Sequence, residues 1–498
     1  MTHHETVPVD GRSLTIDAVE VVARHGSRAE LTDGARGRVA ASRKVIDDIL
    51  AAGQVAYGIN TGFGKLAEVL IPPEQLEQLQ LNLLRSHACG VGEPFGEDVV
   101  RAMLLLRANV LATGHAGCRP IVVERVVDLL NAGVHPVVPS LGSVGASGDL
   151  APLAHLALPL VGEGEAVVGG ERMPGGQALR RCGFEPMVLG AKEGLALING
   201  TQASAAVGAL ALADAGRLLA AADVVCALTL DALAGTDAAF DESVHAARPH
   251  PGQGESARRM RQLLEGSAIR NSHRDCGRVQ DAYSLRCSPQ VHGSGRDAFH
   301  HACGVLTVEL NSATDNPMVF PDGRVISGGN FHGAPIAAVF DYLTATITDL
   351  ASISERRFAR MVDSSLSGLP RFLVDDAGVN SGFMMVQVSA AALVSEMKTL
   401  SHPASVDSIP TSAGQEDHVS MSTWAARKLA RVVDLGRKVI GMELFAAAQA
   451  LEFHRPLKTS PALESVVDKL RARVPRVEDD RYLADDIDAA SELVYELT

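Results

Sequence analysis

Gly142-Ser143-Val144-Gly145-Ala146-Ser147-Gly148-Asp149-Leu150-Ala151-Pro152-Leu153-Ala154-His155 is the stretch whose reading decides the fold. Its centre, Ala146-Ser147-Gly148, is too common a tripeptide to decide anything alone. Read locally, it is a glycine-punctuated turn that leads into a helix. Asp149 is then the capping residue. Pro152 falls in the first turn, where proline is tolerated.

A chemical reading competes with the local one. The backbone nitrogen of Gly148 attacks the carbonyl carbon of Ala146, two waters leave, and one takes the Ser147 hydroxyl. The product is a methylidene-imidazolone (MIO) ring with an exposed electrophilic methylene. The residue types suit this closure. Gly148 has no side chain to hinder its nitrogen and can fold back. Ala146 adds little bulk, and within the triplet only Ser147 can lose water to give the methylene. Gly142 and Gly145 permit the compressed backbone, a kind of strain stored at active sites. With its flanks, the stretch resembles the Gly-Ser-x-Gly-Ala-Ser-Gly-Asp-Leu-Ala-Pro-Leu-x-His pattern of the aromatic amino-acid ammonia-lyases. The resemblance implies a self-made MIO cofactor from Ala146, Ser147 and Gly148, with no diffusible cofactor and no metal.

Composition sets the frame around this stretch. The 498 residues are 46% hydrophobic but only 4% aromatic, with Trp424 the single tryptophan. Alanine, leucine and valine must fill the core, and small side chains let helices approach closely. The net charge is −14, and no basic tract interleaved with aromatics exists, which argues against a nucleic-acid partner. Seven scattered cysteines without a CxxC pair indicate neither a disulfide framework nor a thiolate zinc site. The N-terminus is polar, without an apolar signal region. The long apolar run from Ala203 to Ala234 is interrupted by Asp214, Arg217, Asp223 and Asp231. It reads as a buried helix and not a membrane span. The expectation is a cytoplasmic protein.

Tyr57-Gly58-Ile59-Asn60-Thr61-Gly62-Phe63-Gly64 carries too many glycines for a helix and reads as a shaped loop. It is not a phosphate-cradling GxxxxGK[ST] loop. It resembles the family's Tyr-Gly-x-Asn-Thr-Gly-Phe-Gly loop, which presents the tyrosine to substrate. Residues 73–86 read as a helix that ends at Ser86-His87 before Gly90 and Gly92. The Ser-His pair resembles the family members that act on histidine. Phenylalanine-specific members carry Phe-Leu there instead. Asn199 precedes the alanine-rich run, where an N-cap is the ordinary reading. The resemblance adds substrate carboxylate binding near the ring.

The polar region 243–278 holds several histidines, but no HExxH or carboxylate–histidine spacing supports a metal site. Beyond it, Gln280, Tyr283 and Arg286 recur every three residues, near one face of a helical turn. An arginine there can bind a carboxylate through two bonds, beside a proton-transferring tyrosine. The segment resembles the family's Gln-Asp-x-Tyr-Ser-x-Arg. Gly328-Gly329-Asn330-Phe331-His332-Gly333 places Phe331 on a tight loop. In the string from His402 to Met421, Glu416 lies near an expected helix start, an ordinary surface position. The whole string nonetheless resembles the histidine-specific members.

Long periodic runs at 336–361, 384–399 and 421–452, with few strands, predict a mainly α fold. They form a long central helical bundle. A smaller N-terminal region, 1–200, carries the Tyr57 loop and the MIO triplet. Residues 201–498 supply the bundle and a C-terminal helical region, the two making one catalytic unit. Further helices are expected at 37–52, 97–113 and 121–132, with an irregular stretch at 162–185.

The resemblance spans the chain from the Tyr57 loop to about residue 450. It implies non-oxidative deamination of L-histidine to trans-urocanate and ammonia, by a homotetramer whose sites combine residues from several subunits. It assigns proton transfer to Tyr57 and Tyr283, and carboxylate positioning to Gln280, Asn199 and Arg286. Phe331 packs beside the ring, and His87 and Glu416 face the imidazole. Whether the substrate's amine or its imidazole adds to the methylene stays open, as does which tyrosine takes the β-proton. Gly414, Met397, Ser422 and Ala282 depart from the family's usual Asn, Asn, Gly and Pro. The alternatives are an MIO-dependent aminomutase, a phenylalanine or tyrosine ammonia-lyase, and a catalytically silent scaffold.

Overall fold

The computed structural model describes residues 6–62, 64, 68–274, 276–277 and 279–497. Phe63 of the Tyr57 loop lies outside them, as do the first five residues and Asp275 and Arg278 of the polar region. The described residues form 20 α-helices and four small sheets of two or three strands. The fold is mainly α, as the periodicity predicts.

Helix starts follow their caps. The Thr15 hydroxyl accepts from the Ala18 amide, and helix Ile16–His25 begins there and ends at Gly26 with φ 72°. The helix expected from Gly37 starts earlier, as Asp33–Ala51, because the Thr32 hydroxyl accepts from Ala35 N. The cap outweighs Gly34 and Gly37, which weaken the first turns. Residues 162–185 are more regular than expected. Glu165–Val168 pairs antiparallel with Glu171–Pro174, and helix Gly175–Arg181 follows. Gly169 and Gly170, at φ 60° and 81°, make the two-residue turn. Two positive φ angles in succession are what such a hairpin needs, and a Gly-Gly pair supplies them.

The chain divides into two compact units. The first comprises the described residues of Met1–Ala213 with Ala302–Asp341 and Pro403–Arg427, and the second Asp214–His301, Tyr342–His402 and Lys428–Thr498. Four long helices continue from one unit into the other: Gln202–Ala232, Ser288–Leu310, Ala334–Val362 and Ser422–Glu452. Gln202–Ala232 and Ala334–Val362 are long and apolar enough to cross a membrane, but 72% and 61% of their most apolar windows are buried within the protein.

The first unit holds every strand among the described residues. Its helix Glu97–Ala112 is buried on all sides from Ala102 onward, as a helix without a polar face must be. Two polar residues interrupt that run, and each finds buried partners. Asn109 accepts from Gly11 N and donates to the Leu310 carbonyl. The fully buried Arg107 donates to the Ala196 and Asn199 carbonyls at 2.8 and 3.0 Å. In the same unit, a Cβ on Gly208 would lie 2.1 Å from the ring of the buried Phe340. Gly208→Ala should therefore destabilise the protein by about 1–3 kcal/mol through overpacking. A chemical-denaturation midpoint equal to wild type would contradict this.

The second unit contains no strand among its described residues, only helices and their connections with one isolated bridge, Ala377 to Asn380. Three of its phenylalanines meet in the core. Phe383 packs edge-on to Phe445 at 4.7 Å and to Phe358 at 6.5 Å between ring centroids. Met397, one of the departures, is fully buried and reaches toward Gly436.

Candidate active site

The triplet sits on a strained turn. Gly145, Ser147 and Gly148 have φ of 74°, 51° and 77°. A serine in this region costs energy that the surroundings must impose, and close packing and backbone bonds on both sides of it do so. A Cβ on Gly148 would lie 2.2 Å from the Gly200 oxygen, and one on Gly145 would lie 2.2 Å from Ser420 Oγ. The Asp149 amide donates to that same Gly200 oxygen at 2.7 Å, and Met421 N donates to Val144 O at 2.9 Å.

Asp149 anchors the turn. It occupies the N-cap position of helix Leu150–Ala157 but makes no side-chain cap bond, contrary to the local reading. Its fully buried carboxylate instead accepts from Ser204 N at 2.7 Å, Ser204 Oγ at 2.9 Å, Thr423 Oγ1 at 2.5 Å and Ser143 Oγ at 3.2 Å. Burial pushes its pKa up, and these donors oppose the shift. Ser422, where the family usually has glycine, bonds Ser204 Oγ at 2.9 Å and so joins this bracket.

Ser147 opens onto a cavity of about 1060 Å³ within the first unit. Tyr57, His87, Asn199, Phe331 and Glu416 line it as well. Six of the residues singled out from the sequence therefore share one wall system. Ala146 and Gly148 supply the backbone on either side of Ser147.

Tyr57 is carried by a braced loop. The Asn60 side chain accepts from Ala56 N and donates to Gln54 O, and Thr61 Oγ1 accepts from Gly58 N. Gly58, at φ 71°, has no room for a Cβ beside Pro317 and Leu195. Gly64 N reaches the Tyr57 hydroxyl at 3.5 Å. Asn199 is not an N-cap. It is the C-cap of Glu193–Ile198, two residues short of the long helix. Its buried Oδ1 has no hydrogen-bond partner, which costs free energy unless a ligand supplies one.

His87 ends helix Leu76–His87. Its Nδ1 faces the Leu83 carbonyl at 2.9 Å, and a carbonyl can only accept, so Nδ1 carries the proton. Nε2 is then an acceptor. Burial lowers the His87 pKa, opposed more weakly by the Leu83 carbonyl and by Glu416.

Glu416 is not at a helix start. The helix begins at Ser422, and Glu416 closes a small loop by pairing with Thr411. Within the loop Ser412, Ala413 and Gly414 have φ of 51°, 54° and 78°. Glycine and asparagine are the residues that tolerate this conformation best, which accounts for Gly414 where the family has Asn. Glu416 Oε2 accepts from Thr411 Oγ1 at 2.7 Å and Ser412 Oγ at 2.6 Å. Oε1 accepts from Ser147 Oγ at 3.2 Å.

Gln280, Tyr283 and Arg286 do not line this cavity. They belong to the second unit. Helix Tyr283–Arg286 is a single turn, and Gln280 precedes it, exposed. The three-residue spacing is thus not one helix face. Ala282, at φ −61°, has the angle of the proline usual in the family. Arg286 stacks over the Tyr283 ring at 4.6 Å, and Tyr283 is 71% exposed.

Sequence reading passed over four residues that shape the cavity. Thr411 and Ser412 hold Glu416, and their signal was a hydroxyl pair just before a glutamate. Asn316 lines the cavity and accepts from Gly328 N and Ser327 Oγ, fixing the loop that carries Phe331. Arg107, the one charge in the buried run Ala102–Ala112 of its helix, holds the Asn199 carbonyl.

The residues fit a ring built from the triplet. The turn is already left-handed at Ser147 and Gly148, the cradle excludes a side chain at Gly148, and the one hydroxyl to be lost faces a cavity.

A family model described as aromatic amino acid lyase matches residues 14–472. Histidine ammonia-lyase of Koribacter versatilis (strain Ellin345) is 54% identical, over 97% of this chain and 96% of that protein. Among solved structures, the chain is similar to histidine ammonia-lyase from Trypanosoma cruzi, with TM-score 0.92 and 46% identity over 99% of this chain and 94% of that one. It is also similar to tyrosine aminomutase from Streptomyces globisporus, with TM-score 0.94 and 38% identity over 99% and 97%. Backbone likeness thus spans two reactions, and side chains must decide between them.

Proposed function

The chain belongs to the aromatic amino acid lyase family, and from that premise we infer a carbon–nitrogen lyase that converts L-histidine to trans-urocanate and ammonia. The observation that carries the substrate choice is the meeting of His87, Glu416 and Ser147 in one cavity. A phenyl or phenol ring gives His87 and Glu416 no pair of N–H groups to bind. The experiment is incubation with L-histidine, followed as ultraviolet absorbance of a conjugated acrylate. Turnover of phenylalanine or tyrosine in preference would overturn the assignment.

The MIO ring formed from Ala146, Ser147 and Gly148 would supply an electrophilic methylene to a substrate whose amine leaves poorly and whose β-hydrogen is barely acidic. The chain's own groups do the rest. Neutral His87 offers an acceptor at Nε2, and Glu416 offers Oε1. Two acceptors match an imidazolium ring, which has two N–H donors. Asn199 can donate from its side-chain Nδ2 to the substrate's carboxylate, while its unpaired Oδ1 is left to accept from an N–H of the ligand. Phe331 forms an apolar wall. Tyr57 and Tyr283 are the proton-transfer groups.

Tyr283, Gln280 and Arg286 do not line the cavity of their own chain, and Tyr283 is mostly exposed. This supports a homotetramer in which another copy supplies all three. Ser147→Ala and Tyr283→Phe, each nearly inactive alone, should regain measurable activity when co-expressed in mixed tetramers. No recovery would contradict shared sites. Arg286 should bind the substrate carboxylate through its planar fork, which lysine lacks. A charge-assisted bond is worth roughly 1.5–3 kcal/mol, so Arg286→Lys should lose about tenfold or more in kcat/KM. Unchanged kinetics would remove Arg286 from the site.

The lowered pKa of His87 carries a pH signature. Nε2 accepts only while His87 is neutral, and burial extends that state below the ordinary value of 6.5. As pH falls through the lowered pKa, Nε2 gains a proton and repels an imidazolium. His87→Gln cannot titrate. The wild-type to variant ratio of kcat/KM should therefore fall toward acid pH, with the substrate's own titration cancelling in the ratio. A pH-independent ratio would show that His87 does not contact the ring.

A further inference from the structure

The single turn Tyr283–Arg286 poses a mechanical question. A four-residue helix has little stability of its own, and the exposed Tyr283 ring contributes little packing. Its own backbone bonds use the Ala282 and Tyr283 carbonyls. The Ser284 carbonyl is instead held from behind by Ser288 Oγ, which donates to it at 2.9 Å. Ser288 Oγ in turn faces the Cys226 thiol at 3.2 Å and Arg357 Nη1 at 3.4 Å, and Nη1 lies 3.5 Å from the Ser284 carbonyl itself.

Arg357 belongs to a fully buried seam in the second unit. Its Nε and Nη2 bond Glu443 Oε1 and Oε2 at 2.5 and 2.8 Å. Glu443 also accepts from Thr229 Oγ1 at 2.7 Å and Ser354 Oγ at 2.5 Å. Arg357 Nη1 faces His292 Nε2 at 3.4 Å, and His292 Nδ1 donates to Asp223 Oδ1 at 2.8 Å. Asp223 pairs with Arg296 at 2.5 Å, and Ser256 donates to it. Burial holds the His292 pKa down, so a neutral imidazole separates two ion pairs.

A buried ion pair is a poor way to gain stability. Apolar side chains of similar volume are often as stable, because two charges must be stripped of water. What the pair does provide is direction, since a bidentate fork on a saturated glutamate fixes where Nη1 points. That third nitrogen points at the Ser288 hydroxyl and the Ser284 carbonyl.

We propose that Arg357, held by Glu443 and acting through Ser288, is the positioning residue for the Tyr283–Arg286 turn, and hence for proton transfer and carboxylate binding. This rests on the placement of Tyr283 in the reaction given above. Arg357 touches no reacting atom. Misplacing a catalytic group by about 1 Å costs roughly a hundredfold.

The test is the double variant Arg357→Met/Glu443→Leu, which removes both charges together and leaves neither unpaired. Intact mass reports the ring, and thermal unfolding reports the fold. The expected result is a folded protein, lighter than its encoded mass by two waters, with kcat reduced roughly 10- to 100-fold. The kinetic isotope effect on β-deuterated histidine should rise, because proton transfer has become slower than the other steps. In a Tyr283→Phe background the same pair of substitutions should cause almost no further loss of kcat. A merely structural role predicts an equal loss in both backgrounds and an unchanged isotope effect, and that result overturns the proposal. If the double variant does not fold, Ser288→Ala removes one hydroxyl only. It should show a smaller loss of kcat, again absent in the Tyr283→Phe background, and wild-type kcat there overturns the proposal. Wild-type activity in Tyr283→Phe alone is a separate result. It overturns the placement of Tyr283 and, with it, the positioning role.

Discussion

Ser147→Ala should give a folded protein at its full gene-encoded mass, with histidine turnover lower by several orders of magnitude. Wild type should be lighter than its encoded mass by two waters. The fold should survive because alanine has the Cβ of serine, so the left-handed backbone at φ 51° is no more strained than before. In the uncyclised turn the only side-chain bond that alanine forgoes is the one to Glu416 Oε1. The chemistry should not survive, because alanine has no hydroxyl to eliminate and the methylene cannot form. Gly148→Ala offers a contrast. Its Cβ would lie 2.2 Å from the Gly200 oxygen, so both ring closure and folding should suffer. Intact-mass spectrometry and circular dichroism separate the two. An unmodified wild-type mass, or a fully active Ser147→Ala, would end the MIO reading.

The second large effect concerns Glu416 and the choice of substrate. A site whose buried polar groups must be hydrogen-bonded rejects an analogue lacking the partners by roughly 10⁴-fold or more, far more than a pocket rejects an extra methylene. Phenylalanine leaves Glu416 Oε1 and His87 Nε2 unpaired, so it should be a very poor substrate. Glu416→Gln keeps the shape of the side chain but removes its charge. Thr411 and Ser412 are hydroxyls that can turn from donors to acceptors, so the loop should tolerate the amide. Loss of a charge-assisted bond of about 1.5–3 kcal/mol corresponds to roughly a 10- to 100-fold fall in kcat/KM on histidine. Ring formation, read by mass, should be intact. Measuring histidine, phenylalanine and tyrosine with both proteins tests this. Equal histidine turnover by Glu416→Gln and wild type would return Glu416 to a role in its own loop.

Much of the site was legible because its chemistry lies in contiguous residues. The triplet, its glycines and Asp149 form one string, and the structure shows that string as one strained turn. The Tyr57 loop was legible for the same reason, since Asn60 and Thr61 brace the tyrosine from within the loop. Misreadings arose where a local rule met a distant partner. Asp149 resembles a helix cap, but Ser204 and Thr423 claim its oxygens. Asn199 resembles an N-cap, but a short helix before it makes it a C-cap. Glu416 reads locally as a surface residue at a helix start, and only the family resemblance set it at the imidazole, because Thr411 and Ser412, which hold its Oε2 while Oε1 faces Ser147, act through the folded loop. Gln280 keeps the three-residue spacing, yet the helix is too short to include it. The mainly α class followed from long periodic runs, whereas the hairpin at 165–174 escaped because each strand has only four residues.

The exposed Tyr283 has a consequence for how this enzyme must be handled. On the shared-site reading, an isolated chain holds the cavity but not the full set of groups that work in it. Catalytic power is then a property of the assembly and obeys mass action, like any quantity tied to association. Specific activity should hold steady on dilution until the tetramer begins to dissociate, and then drop while the helical signal of each chain persists. Lost activity in a dilute sample would therefore report separated subunits and not unfolding.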